Sequence, residues 1–212
     1  MRPTSLQLPR LCAITDRAAT GGRTHGEIAR ALLAGGARWI QVREKTMGAG
    51  GFLVQARDAV RIAHEHGAIV IVNDRVDVAL MAGADGVHVG RDDLPAVEAR
   101  TLMGERAIVG ISTHSVEEGI AAARLPVDYV AIGPVFATST KQDAERVVGI
   151  EAVRRLAEAV KVPVVAIGGI TEERAGEAMR AGAAAVAVIG ALYDPRRPAD
   201  ENVSAMLAAL GS

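Results

Sequence analysis

Residues 70–93, V-I-V-N-D-R-V-D-V-A-L-M-A-G-A-D-G-V-H-V-G-R-D-D, read as a strand, a short helix and a second strand. Each strand is apolar and rich in β-branched residues. Each runs out into a polar cluster: Asn73 and Asp74 after the first, Arg91, Asp92 and Asp93 after the second. Neighbouring parallel strands lie ~4.8 Å apart. Carboxylates just past their carboxyl ends can therefore converge on one hard cation, at the edge where α/β proteins bind ligands.

The same unit recurs on both sides of this stretch. Upstream, Leu11–Thr15 and Arg38–Val42 read as strands. Between them Thr24 and Glu27 form a capping box for a helix through Leu33, stopped at Gly35-Gly36. Gly48, Gly50 and Gly51 read as a loop before a helix from Phe52 to His66, and Ala68–Val72 is the next strand. Downstream, Pro95 fits the first turn of a helix to Met103, and Ala107–Ile111 is a strand ending at Ser112-Thr113-His114. Ser115 caps the following helix, with Glu118 at the capping-box position. Tyr129–Ile132 is a strand before the longest irregular loop, Gly133–Val148. Ile150–Val160 is a helix, Val164–Ile167 a strand ending in Gly168-Gly169, and Thr171 caps a helix to Ala181. Ala185–Ile189 is the last strand, and a helix over about Asp200–Leu210 closes the chain. Eight alternating strand–helix units predict an α/β fold, a single-domain (β/α)8 barrel of the TIM type over 11–212 after a tail at 1–10. A doubly wound open sheet is the alternative, and it usually has fewer strands.

Composition agrees. Half of the 212 residues are hydrophobic but only Trp39, Phe52, Tyr129, Phe136 and Tyr193 are aromatic. Such a core is aliphatic, as suits parallel strands covered by helices. The net charge of −1 argues against a general nucleic-acid or acidic-membrane binder. Cys12 is the only cysteine, so no internal disulfide forms, which fits a reducing cytoplasm. The first ten residues lack the apolar core of a secretion signal, and no apolar run approaches the ~20 residues of a membrane span. Nothing here sets an oligomeric state.

Several clusters carry candidate chemistry. Asp74 and Asp93 suit Mg2+, which takes one or two carboxylates together with waters and substrate phosphates, although Asp74 or Asp92 can simply cap a helix. Gln41, Arg43 and Lys45 alternate along a strand and can face one polyanion together, or form a solvated charged loop. Thr138, Ser139, Thr140 and Lys141 place three hydroxyls and an ammonium in a long loop, which suits a phosphate or a plain polar turn. Gly168, Gly169 and the pair Ile189-Gly190 follow the last two strands, where barrels commonly bind phosphate through backbone N–H groups. Ser112 and His114 can bind or move protons. Asn73 can bind a phosphate oxygen or shape its turn, and His88, inside a strand pattern, reads as structural.

In chain order, I-T-D (Ile14–Asp16), Q-V-R-E-K (Gln41–Lys45), V-N-D-R-V-D-V-A-L (Val72–Leu80), A-D-G-V-H-V-G-R-D-D (Ala84–Asp93), V-G-I-S-T-H-S (Val109–Ser115), D-Y-V-A-I-G-P-V-F-A-T-S-T-K (Asp128–Lys141) and V-P-V-V-A-I-G-G-I (Val162–Ile170) resemble the thiamine-phosphate synthase family. That resemblance implies a transferase joining hydroxymethylpyrimidine pyrophosphate to thiazole phosphate, with release of pyrophosphate. It implies Mg2+ on Asp74 and Asp93. It places the pyrimidine pyrophosphate on Gln41, Arg43, Lys45, Asn73, Ser112 and Lys141, and the thiazole phosphate on Thr138, Ser139, Thr140, Gly169, Ile189 and Gly190. The partners are then small molecules, with Arg43, Lys45, Lys141 and Ser112 at the reacting end. Two positions depart from the family pattern: Arg91 stands where Gln is usual, and Gly190 where Ser is usual. The rival readings are a thiazole tautomerase of the same barrel family, with His114 as its acid/base, and a non-catalytic phosphate-binding barrel.

Overall fold

The structure is a computed structural model and describes residues 7–138 and 146–211. Eight parallel strands close in sequence order: β1 (Leu11–Ile14), β2 (Trp39–Val42), β3 (Ile69–Asn73), β4 (Gly86–Val89), β5 (Ile108–Thr113), β6 (Tyr129–Ile132), β7 (Val164–Ile167) and β8 (Ala185–Val188), with β8 pairing back to β1. The helices between and after them are α1 (His25–Ala34), α2 (Ala49–Glu65), α3 (Val76–Ala82), α4 (Ala96–Met103), α5 (Val116–Ala122), α6 (Ile150–Ala159), α7 (Glu172–Arg180) and α8 (Ala199–Ala209). This is a (β/α)8 barrel, and the open-sheet alternative falls. Among the described residues no helix is long and apolar enough to cross a membrane.

Strand parity divides the core in two. One set of strand side chains packs outward against the helices, including Ala13, Ile40, Val70, Val87, Val109, Val130 and Val186. The alternate set fills the barrel: Cys12, Ile14, Trp39, Ile71, Ile108, Tyr129, Val165, Ala185 and Ala187. Gly110 belongs to this inner set because the ring of Tyr129 occupies its side-chain space: a Cβ there would lie 2.0 Å from the ring carbon Cζ. Tyr129 also meets Trp39 edge-on, with ring centroids 5.2 Å apart. Continuing the inner parity to the carboxyl ends brings Gln41, Asn73, His88 and Ser112 to the mouth, where Gln41, Asn73 and His88 are buried.

Helix ends follow the sequence chemistry. The Thr24–Glu27 capping box forms with both reciprocal bonds. Ser115 accepts from the Glu118 N–H, while the Glu118 carboxylate takes the His114 N–H, one residue earlier than a capping box requires. Thr171 caps α7 as expected. Several boundaries need correction. Gly48 is the N-cap of α2, so Gly50 and Gly51 are helical rather than loop; Gly51 lies against the Met47 side chain, where a Cβ would approach Sδ to 2.8 Å. Pro95 is the N-cap of α4, one residue before the first turn. Asn73 closes β3, and Ser112 lies within β5 rather than after it. Gly190, read only as a glycine after β8, opens a 3-10 turn, Gly190–Tyr193.

Candidate active site

The polar residues at the carboxyl ends of the strands form two groups, one on the β2–β4 side of the mouth and one on the β5–β8 side.

The first group centres on two carboxylates. The chain leaves β3 through Asp74, whose φ of 66° makes it the only non-glycine with positive φ among the described residues. Aspartate tolerates that region better than most residues. The Asp74 N–H donates to the His88 carbonyl at 2.7 Å, tying the turn to β4. Asp93 Oδ2 accepts the Gly90 N–H at 2.7 Å. Burial raises the Asp93 carboxyl above its ordinary pKa; the Gly90 N–H opposes this, and Asp74, as a hydrogen-bonding and like-charged neighbour, adds to it. A carboxylate whose ionisation is disfavoured by burial and a like-charged neighbour is a site for a cation. One already stands there, since Lys45 Nζ lies 2.6 Å from Asp74 Oδ2. The described residues contain no group of three His, Cys, Asp or Glu side chains that could hold a metal. Two carboxylates suit Mg2+ arriving with substrate phosphates, a metal that keeps several ligands outside the protein.

Arg43 follows β2, with Nη1 3.5 Å from Asp16 Oδ2. Its backbone N–H donates to Thr15 Oγ1 at 3.1 Å, which crosslinks the ends of β1 and β2. Glu44, between the two cations, turns away from the mouth, and its side chain is only 5% exposed. Burial pushes its carboxyl up, but the Thr46 N–H and hydroxyl, the Met47 N–H and His25 outweigh that and bring it down to about 2. Its stabilising contribution is therefore complete above the ordinary value of 4.5 and lost as pH falls towards 2. Urea midpoints of the wild type are expected to fall through that window, and those of Glu44→Gln to fall less steeply.

The second group surrounds a cavity of about 1230 Å3, walled by the ends of β5 to β8. Ser112, His114, Thr138, Gly169, Ile189 and Gly190 line it. Gly168 and Gly169 both have positive φ, and a Cβ on Gly169 would meet the Ala137 carbonyl oxygen at 2.5 Å, so close backbone packing requires glycine there. Arg174 fixes the same corner: it donates to the Gly169 carbonyl at 2.9 Å and its guanidinium lies 4.8 Å from the centre of the Phe136 ring. Gln41, Arg43, Lys45, Asn73, Asp74 and Asp93 do not line this cavity. Ser112 connects the two groups. It borders the cavity, and its hydroxyl lies 2.8 Å from His88 Nε2 on β4.

Of the sequence candidates, Gln41, Arg43, Lys45, Asn73, Asp74, Asp93, Ser112, Thr138, Gly169, Ile189 and Gly190 all lie at one end of the barrel. Ser139, Thr140 and Lys141 lie outside the described residues. Arg91 turns away from the carboxylates and donates to Glu118 at 2.8 Å. Sequence reasoning passes over four residues. His88 bridges Tyr129 and Ser112, where the strand pattern suggests only a structural side chain. Asp16, within the I-T-D motif, faces Arg43. His25 and Glu44 meet behind the cations, and a helix-start histidine carries no signal of a partner 19 residues away.

Comparison with known proteins follows this geometry. A family model described as thiamine monophosphate synthase matches residues 11–192. The chain is 47% identical to the thiamine-phosphate synthase of Methanoregula boonei over 182 residues, covering 86% of this chain and 84% of that one. It is 42% identical to that of Chloroflexus aurantiacus over 183 residues, again 86% and 84%. The solved structure of thiamine phosphate pyrophosphorylase from Pyrococcus furiosus superposes with a TM-score of 0.86 at 34% identity, covering 95% of each chain.

Proposed function

The chain belongs to the thiamine monophosphate synthase family, and from that premise we propose that it condenses 4-amino-2-methyl-5-hydroxymethylpyrimidine pyrophosphate with 4-methyl-5-(2-phosphoethyl)thiazole. The products are thiamine phosphate and pyrophosphate. Residues 11–212 form the catalytic domain in this reading, and the enzyme acts in the cytoplasm. The observation that supports the site assignment is the arrangement of the mouth: paired carboxylates and cations follow β2–β4, a roomy cavity is walled by the ends of β5–β8, and Ser112 borders that cavity while bonding His88 of β4.

The chemistry needs little from the protein beyond placement. The scissile C–O bond joins the pyrimidine methylene to pyrophosphate. As it breaks, negative charge grows on the leaving group, and the electron-rich aminopyrimidine supports the cationic methylene. The thiazole nitrogen supplies the electron pair for the new C–N bond. Arg43, Lys45 and Lys141 neutralise the departing pyrophosphate, and Gln41, Asn73 and Ser112 hold its oxygens. Thr138, Ser139, Thr140, Gly169, Ile189 and Gly190 seat the thiazole phosphate, so that both reactants lie in line and water is excluded. Mg2+, held by Asp74 and Asp93, would add Lewis-acid stabilisation of the same charge. At Gly190 only the backbone N–H serves the phosphate, since the hydroxyl usual at that position is missing.

The Lys45–Asp74 contact gives Lys45 two uses. Before substrate arrives, its ammonium offsets charge that the metal would otherwise offset. Once metal and substrate bind, it turns to the pyrophosphate. Lys45→Met is expected to tighten Mn2+ binding in the absence of substrates about two- to fivefold, the range for losing a partly exposed ion-pair competitor. The same substitution should slow turnover by roughly a hundredfold. Electron paramagnetic resonance of free Mn2+ and a product assay read the two effects separately.

The direct test of the function is formation of thiamine phosphate from the two purified substrates, with and without Mg2+. Product only with the metal supports the reading. Tight binding of thiazole phosphate without turnover would make this a non-catalytic barrel instead. The tautomerase reading gains no support from the relatives described above, which carry the synthase name.

A further inference from the structure

Between the two rim cations, one buried side chain anchors the backbone that carries them. Glu44 Oε1 accepts the N–H groups of Lys45 at 2.8 Å, Thr46 at 2.7 Å and Met47 at 3.2 Å, and the Thr46 hydroxyl at 2.9 Å. That oxygen organises the loop after β2. The other oxygen, Oε2, points inward, 3.4 Å from His25 Nε2 and 3.5 Å from Arg17 Nη1. His25 is wholly buried. Neither Glu44 Oε2 nor His25 Nε2 makes a hydrogen bond of good geometry to any described group; Glu44 Oε2 is the carboxylate oxygen beside His25 Nε2, and the Arg17 guanidinium shares it.

The tautomer of His25 follows from its second contact. His25 Nδ1 lies 2.8 Å from Thr15 Oγ1. That hydroxyl oxygen already accepts the Arg43 N–H. Its single proton has no other acceptor among the described residues, so the hydroxyl is assigned as donor and Nδ1 as acceptor. A neutral imidazole then carries its proton on Nε2, 3.4 Å from Glu44 Oε2. The result is a connected path: Arg43 N–H to Thr15 and Thr15 hydroxyl to His25 by hydrogen bonds, then His25 to Glu44 by a 3.4 Å contact between Nε2 and Oε2. It starts at the backbone of one rim cation and ends on the carboxylate that holds the backbone of the other. The root of the chain is also fixed, because the His25 N–H donates to Gln55 Oε1 of α2 at 2.9 Å.

We propose that His25 is a positioning residue of this enzyme: through Thr15 and Glu44 it fixes where Arg43 and Lys45 stand towards the pyrophosphate of the pyrimidine substrate. A histidine serving only the core would have its ring nitrogens satisfied by the nearest backbone. Here both face side chains flanking the cations, and a buried carboxylate beside a buried imidazole costs solvation that an aliphatic pair would avoid. The inference rests on the reading that Arg43 and Lys45 receive the pyrophosphate. A cation displaced by about 1 Å loses much of its effect on a developing charge.

The test uses full-length wild type, Arg43→Ala, His25→Leu, His25→Gln and Thr15→Val, with titration of inorganic pyrophosphate in the presence of Mg2+ alongside steady-state kinetics. His25→Leu is expected to weaken pyrophosphate about tenfold and to raise KM for the pyrimidine pyrophosphate similarly, while KM for thiazole phosphate stays within twofold. His25→Gln restores a donor near the Nε2 position and should recover most of the loss. Thr15→Val keeps the shape, breaks the other end of the chain and should weaken pyrophosphate about threefold or more; it decides the matter if His25→Leu does not fold. Unchanged pyrophosphate affinity in the folded variants, or equal rises in both KM values without recovery by Gln, overturns the proposal. Pyrophosphate binding that is also unchanged in Arg43→Ala places the failure in the underlying assignment of the cations.

Discussion

Asp93→Asn is expected to lower turnover by two to three orders of magnitude and, in the metal-free protein, to raise the melting temperature. The two effects have one cause. Burial and the adjacent Asp74 raise the Asp93 carboxyl above its ordinary pKa. The folded state thus holds that proton more tightly than the unfolded chain does, and at neutral pH ionised Asp93 costs stability. Asparagine removes the charge and can still accept the Gly90 N–H through its amide oxygen. Each kcal/mol of relief corresponds to roughly 2–4 °C in a chain of this length. The gap in melting temperature should be widest near pH 7, narrow as pH falls through the raised value of the folded state, and close below the ordinary aspartate value of 3.8, where Asp93 is protonated in both states. Catalysis is expected to move the other way, because on the proposed reading Asp93 holds Mg2+ and its loss removes several kcal/mol of charge stabilisation in the transition state. Differential scanning fluorimetry with and without Mg2+, set beside a product assay, reads both. A variant that melts below the wild type, or that keeps its Mg2+-dependent rate, would break the link between the strained carboxylate pair and the metal.

The contrast between Asp93 and His25 marks what the sequence makes legible. Parallel strands buried on both faces are short apolar runs between polar turns, so all eight strands can be read to within about two residues. Capping residues such as Thr24 and Thr171 then fix where helices begin. The rim carboxylates are legible for the same reason: residues that follow a barrel strand lie at the mouth, even where a side chain such as that of Glu44 turns from it. What is not legible is pairing between units. Four-residue strands are too short for their period of two to show which alternate residue faces inward, so His88 looks structural until its register with Gly110 and its reach to Ser112 are known. Asp16 and Arg43 are 27 residues apart and meet because β1 and β2 pair Ile14 with Gln41. The His25–Glu44 contact depends in addition on how α1 packs, which no local pattern encodes. The boundary errors also have local causes. Gly50 and Gly51 suggest a loop on propensity, but α2 is held by burial of Phe52, Ala56, Ala59 and Ala63, and tertiary packing overrides two exposed glycines at its first turn.

Arg43→Ala is expected to reduce the single-turnover rate by roughly a hundredfold or more, the range for removing one preorganised donor from a developing charge. Interpretation requires separating that loss from damage to the rim, since Arg43 is also the cation beside Asp16. Asp16 is only 8% exposed, and its Oδ1 accepts the Ala19 N–H at 3.0 Å, so it remains in place as a nearly buried carboxylate when the guanidinium is gone. Part of any loss in Arg43→Ala could then be a local rearrangement around an uncompensated charge. The double variant Arg43→Ala/Asp16→Asn removes that charge while preserving the Ala19 contact through the amide oxygen. If Arg43 acts on the leaving group, the double variant regains thermal stability but not rate. Arg43→Lys should recover only part of the rate, because an ammonium replaces the charge without the planar fork that grips two phosphate oxygens together. A double variant whose single-turnover rate returns to within a few fold of the wild type would instead assign Arg43 to holding Asp16, and would leave Lys45 as the one cation among the described residues with a case for meeting the departing pyrophosphate.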